Sequence, residues 1–158
     1  MLAQAVTPLQ TPDVEWSTLT PVLVLLGGAV LLLVVSSFLP RKPRFSWHAL
    51  VTVAIAAASI AAAVPLWFRT RDDGPMRVVG GAVIVDGLTV FLSIAIAVSV
   101  ILTVLSSVGY LRRERLDGPE AYVLLLLSAA GGMIMCGAND LLVLFLGIEI
   151  LSLAVYVL

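Results

Sequence analysis

Four stretches of this chain carry no Asp, Glu, Lys or Arg: Trp16 to Pro40, Phe45 to Phe68, Gly87 to Leu111, and Ala121 to Asn139. Each is about the length that crosses a hydrocarbon core of roughly 30 Å at 1.5 Å rise per residue. A chain of 158 residues has no soluble core large enough to bury four such helices. With 61% apolar and 12% charged residues, it also lacks the charge that wets a soluble domain. The fold class that follows is an all-α, multi-pass transmembrane bundle.

The same composition narrows function. The formal net charge is -1, so no basic surface is available to neutralise phosphates, and the partner is the lipid bilayer rather than nucleic acid. Cys136 is the only cysteine and His48 the only histidine, which excludes an internal disulfide framework and a Cys/His metal cluster. No glycine run forms the G-x-G-x-x-G turn of a dinucleotide site, so no cofactor site is expected in this chain. Residues 1–20 contain Asp13 and Glu15 but no Lys or Arg, unlike the positive start of a secretory signal, so the first helix is read as a retained span.

The expected organisation is a tail, 1–20, followed by a transmembrane domain, 21–158. Helices are expected at about 21–39, 47–68, 86–110, 120–136 and 140–158. Pro21 suits a first helical turn, and Pro40 with Arg41-Lys42-Pro43-Arg44 closes the first helix. In the second, Ala56, Ser59, Ile60 and Ala63 form one small-residue face. Trp16, Trp47, Trp67, Tyr110 and Tyr122 fall near span ends, where amphipathic rings prefer the headgroup level.

Between the second and third helices, Met76–Val79 and Ala82–Val85 flank Gly80-Gly81. Two readings stay open there: a short β-hairpin at 76–85 with a two-residue turn, or a loop running into an early helix start. Orientation follows from Lys and Arg near span ends. The first, second and third connections carry three each (Arg41, Lys42, Arg44; Arg69, Arg71, Arg77; Arg112, Arg113, Arg115), and the tail and fourth connection none. An outside N-terminus places six inside and three outside, so that orientation is expected.

One residue carries chemistry by position. Glu149 lies ten residues into the apolar stretch from Asp140 to Leu158, ~14 Å along a helix and near the bilayer midplane. A carboxyl at that depth costs roughly 2.5 to 3.5 kcal/mol on insertion scales, so it must face a bundle interior or water. Every Lys and Arg lies outside the apolar stretches, so a cationic partner has to come from elsewhere. Phe145, Ser152 and Tyr156 share its helix face at spacings of three and four, with Ser152 and Tyr156 placed to order water beside the carboxylate. The plain alternative is a neutral acid making one interhelical hydrogen bond.

Supporting candidates are weaker. Asp86 opens the third helix, where an acid suits the macrodipole, and Asn139 and Asp140 are read mainly as caps of the fifth. Proton access is the functional reading of all three. His48 is read as an interfacial histidine, and Ser128, Gly131 and Gly132 as packing residues of the fourth helix.

Val85-Asp86-Gly87-Leu88, Glu120-Ala121-Tyr122-Val123-Leu124-Leu125, Gly131-Gly132-Met133, Ala138-Asn139-Asp140-Leu141-Leu142 and Phe145-Leu146-Gly147-Ile148-Glu149-Ile150-Leu151-Ser152-Leu153 form an ordered series. The series resembles the N-terminal part of subunit N of bacterial NADH:quinone oxidoreductase, respiratory complex I. The tail and Phe38-Leu39-Pro40-Arg41 are similar to actinobacterial members. The resemblance implies a fourteen-helix antiporter-like fold of two inverted five-helix repeats, of which this chain supplies five helices. It implies that Glu149 pairs with a lysine on a later broken helix during proton translocation, although those lysines and the second repeat are absent here.

It also implies partners: the other membrane-arm subunits and the remainder of a longer subunit if the chain is cut short, the reading that an uncapped end at Leu158 favours. NADH, flavin, iron-sulfur clusters and quinone are expected on the complex, in a bacterial plasma membrane. Two rival classes remain: a subunit of a multisubunit cation/proton antiporter, and a non-pumping structural segment.

Overall fold

A computed structural model describes residues 14–38, 47–113 and 118–157. The tail through Asp13, the Leu39-to-Ser46 stretch with its Pro40–Arg44 cluster, Arg115 and Leu158 lie outside the described residues. Among the described residues five helices form: α1 (Thr20–Phe38), α2 (Trp47–Asp72), α3 (Gly87–Arg113), α4 (Pro119–Cys136) and α5 (Leu141–Val157). The first four are long and apolar enough to cross a membrane, and α5 is a shorter apolar helix of 17 residues. The chain is an all-α multi-pass membrane protein.

Helix ends follow local chemistry. Pro119 sits in the first turn of α4, where its missing N–H costs nothing. Helix α2 runs four residues beyond the expected Phe68, because Arg69 and Arg71 suit the negative end of the macrodipole and need not enter lipid. Arg69 lies 3.9 Å from Glu15, an exposed ion pair worth little by itself.

Four helices close a ring in the order α1–α2–α3–α4, and α5 packs mainly on the outer side of α4. Lipid offers no hydrophobic drive between helices, so the ring rests on close fit and a few interhelical hydrogen bonds. Leu25, Ala29 and Leu32 of α1 meet Ala56 of α2, Ala97, Val100 and Val104 of α3, and Leu126, Ala130 and Met133 of α4. The expected small face of α2 is here: Ala56, Ser59 and Ala63 are buried. The Ser59 hydroxyl donates to the Pro21 carbonyl at 2.8 Å, tying α2 to the first turn of α1.

At the end where α2 leads into α3, strands β1 (Met76–Val78) and β2 (Val83–Val85) pair antiparallel with Val78 opposite Val83. The connection is not a two-residue glycine turn. It takes four residues, Val79 to Ala82, with Val79 at φ 55°, Gly80 at 64° and Gly81 at 87°. Three successive left-handed residues include a β-branched one, which costs energy and needs outside support.

That support is the α4–α5 turn. Ile84 donates its N–H to the Gly137 carbonyl at 2.8 Å, Asn139 donates its own to the Ala82 carbonyl at 2.9 Å, and Val83 bridges Ala138. These two hydrogen bonds, closing an isolated β-bridge on the edge of β2, therefore stitch the α2–α3 connection to the start of α5. At the opposite end, His48 and Tyr122 are buried rather than turned to the headgroups, with His48 between Trp47 at 4.3 Å and Tyr122 at 6.3 Å, ring centre to ring centre.

Candidate functional site

The Leu-rich segment from Leu141 takes helical form behind a polar cap. Asp140 accepts the Leu142 N–H on its carboxylate at 3.2 Å, and its carbonyl accepts the Leu144 N–H at 3.0 Å. Asn139, which the sequence reading paired with Asp140 as a cap, does something else. Its side-chain amide donates to the Gly81 carbonyl at 2.8 Å, so it holds the hairpin. The two neighbours divide because Ala138 bridges Val83, so that Asn139 meets the hairpin before the helix begins.

Helix α5 is seated on α4 through glycine. A Cβ placed on Gly131 would stand 2.7 Å from the Leu151 nitrogen and 2.9 Å from the Gly147 oxygen; one on Gly147 would stand 3.1 Å from the Gly131 oxygen. Backbone therefore meets backbone, the approach that small residues permit in membranes. The tight member of the expected small-residue group is Gly131; Gly132 has ordinary clearance.

That seat fixes the direction of everything else on α5. Gly147 and Ala154 are its buried residues. At about 100° per residue, Glu149 lies roughly 200° from Gly147, on the side turned away from α4. Phe145 and Tyr156 share that side and are 61% and 86% exposed. Glu149 itself is half-buried, and among the described residues its carboxylate has no hydrogen-bond or ion-pair partner. Ser152 is on the same face, yet its hydroxyl donates to the Glu149 backbone carbonyl at 3.2 Å rather than to the carboxylate.

The remaining candidates lie at the hairpin end. Asp86 caps α3: one carboxylate oxygen accepts the Thr89 N–H at 2.7 Å and the Thr89 hydroxyl at 2.9 Å. The Thr89 N–H holds the Asp86 carboxyl below its ordinary range, against a smaller upward push from burial. Asp86 and Asp140 thus share one end of the bundle, while Glu149 is nine residues, about 13 Å, further along α5.

Two residues that sequence reasoning passed over belong to this frame. Thr89 also lies 3.2 Å from the Cys136 carbonyl, linking the start of α3 to the end of α4. Gly147 stood in the quoted series without a role; a glycine midway through a leucine-rich span was the signal.

No family model matches the chain. Among curated proteins it is 31% identical over 153 residues to NADH-quinone oxidoreductase subunit N 2 of Roseiflexus castenholzii, covering 96% of this chain and 29% of that protein. It is 34% identical over 144 residues to the subunit N of Myxococcus xanthus, covering 91% and 27%. Against the subunit N of Rhodococcus opacus the figures are 33% over 201 residues, 100% and 36%. The chain spans about a third of the length of the curated relatives it matches.

Proposed function

We propose, for a chain homologous to subunit N of the NADH-quinone oxidoreductases along nearly its whole length, that it forms part of a membrane subunit that translocates protons while electrons pass from NADH to quinone. Glu149 is the residue that takes and releases the proton. NADH, flavin, iron-sulfur clusters and quinone bind on other subunits of the complex, and this chain is not catalytic alone.

The supporting observation is the position of Glu149: a carboxyl deep in an apolar helix, on the face that the chain's own bundle leaves open. Such a residue is stable only beside a bundle interior, water or a cation. We assign that counterpart to a basic side chain from polypeptide outside these residues, either the rest of the same subunit or a neighbouring one. Asp86 and Asp140, at the hairpin end, line the route between Glu149 and the aqueous phase, with Ser152 and Tyr156 ordering water beside the carboxyl.

The orientation we propose puts the hairpin end outside a bacterial plasma membrane. Arg69, Arg71 and Arg77 belong to that end, whereas the first and third connections carry six Lys and Arg between them, and the positive-inside rule retains the larger group in the cytoplasm.

The test is Glu149→Gln, which keeps shape and removes the titratable proton. In native membranes with the complex assembled, NADH-driven proton translocation is expected to fall while the amount of assembled complex holds. Pumping at the parental level in that variant would overturn the reading.

A further inference from the structure

We propose that Gly131 and Gly147 are positioning residues for Glu149, setting how far its carboxyl stands from whatever group faces it across the open side of α5. The inference rests on the assignment of proton movement to Glu149 and adds the element that aims it. Three observations converge. The glycines face each other reciprocally across α4 and α5. The atoms that a Cβ on Gly131 would meet, the Leu151 nitrogen at 2.7 Å and the Gly147 oxygen at 2.9 Å, are backbone and cannot rotate away. Glu149 projects from the opposite side of the same helix, so any recession of α5 from α4 moves the carboxyl outward by the same amount.

The displacement has a scale. Non-bonded heavy atoms settle at about 3.5 to 4.0 Å, so one methyl group on Gly131, 2.7 Å from the Leu151 nitrogen, drives α5 off its seat by about 1 Å. A misplacement of that size costs a reaction that depends on alignment up to about 100-fold. Gly132 next door offers an internal control: a Cβ there would meet only the Ile96 Cδ1 at 3.4 Å and the Leu151 Cδ1 at 3.8 Å, ordinary contacts at the ends of flexible side chains. A second route to the same displacement is Gly147→Ala combined with Met135→Ala, since the Met135 Cγ at 2.6 Å is the nearest atom to a Cβ on Gly147 and the combination leaves the backbone contacts at 3.1 Å to act alone.

The experiment compares Gly131→Ala, Gly132→Ala, Gly147→Ala with Met135→Ala, and Glu149→Gln in native membranes, reading assembled complex, proton translocation rate and its pH profile. The expected result is a roughly tenfold or larger fall in rate with a moved pH midpoint for Gly131→Ala, a smaller change in the same sense for the Gly147 variant, and parental behaviour for Gly132→Ala. Parental rate and an unmoved profile in an assembled Gly131 or Gly147 variant would overturn the positioning role while leaving that of Glu149 intact. A parental rate in Glu149→Gln would remove the underlying assignment. Failure of both seat variants to assemble, with Gly132→Ala assembling normally, would reduce the glycines to packing and overturn the proposal.

Discussion

The Asn139 side-chain amide donates to the carbonyl oxygen of Gly81 at 2.8 Å, joining residues 58 positions apart. The bond closes on a loop whose Val79 holds φ 55°, so the clamp supports a conformation that the loop sequence disfavours. A β-branched residue in the left-handed region costs about 1–2 kcal/mol, and Val79→Gly is expected to raise the melting temperature. Asn139→Ala is expected to lower stability by about 0.5–1.5 kcal/mol. Thermal melts of both single variants and the double variant check this: the gain from Val79→Gly shrinks in the Asn139→Ala background, where the loop is no longer held.

Asp86 makes stability depend on acid. Its folded carboxyl is held below the ordinary range, chiefly by the Thr89 N–H, so the unfolded chain binds a proton more readily than the folded one. The stabilisation is therefore complete above the ordinary carboxylate range and is lost as pH falls through the depressed folded value. Asp86→Ala is expected to cost about 0.5–2 kcal/mol near neutral pH and little once the parent's carboxyl is protonated. Denaturation followed from neutral pH down through and below the ordinary carboxylate range measures the difference, and a cost that stays the same throughout would count against it.

Ser59 is buried in the ring, and its hydroxyl donates to the Pro21 carbonyl at 2.8 Å. Ser59→Ala keeps the small volume that α2 needs against α1 and removes only the bond. The expected loss is about 1 kcal/mol, read from the melting temperature in detergent; Ser59→Leu, which adds bulk at a fully packed face, is expected to cost more.

Arg77 is exposed on β1, at the hairpin end. With Cys136 replaced by alanine, Arg77→Cys is expected to react with a membrane-impermeant maleimide added outside intact cells. Labelling only after the cells are opened would reverse the orientation.

The number and order of the helices were readable directly from the residues. The bilayer penalises charge position by position, so uncharged stretches bounded by Arg69, Asp86 and Arg112 locate helices without knowledge of any contact. The β-favouring runs on either side of Gly80-Gly81 left a hairpin and a plain loop equally open, and the paired strands decide for the hairpin, with a left-handed Val79 in its loop.

Only the tertiary structure decided which neighbour of each pair does what. Asn139 and Asp140 are interchangeable as cap residues, and the arrival of the hairpin assigns one to the Gly81 carbonyl and the other to the helix. Gly131 and Gly132 look alike in sequence, and the approach of α5 makes one a seat and leaves the other with room. The reason is physical: insertion into lipid is a local property of each segment, whereas helix association without a hydrophobic drive depends on how backbones far apart in the chain fit together.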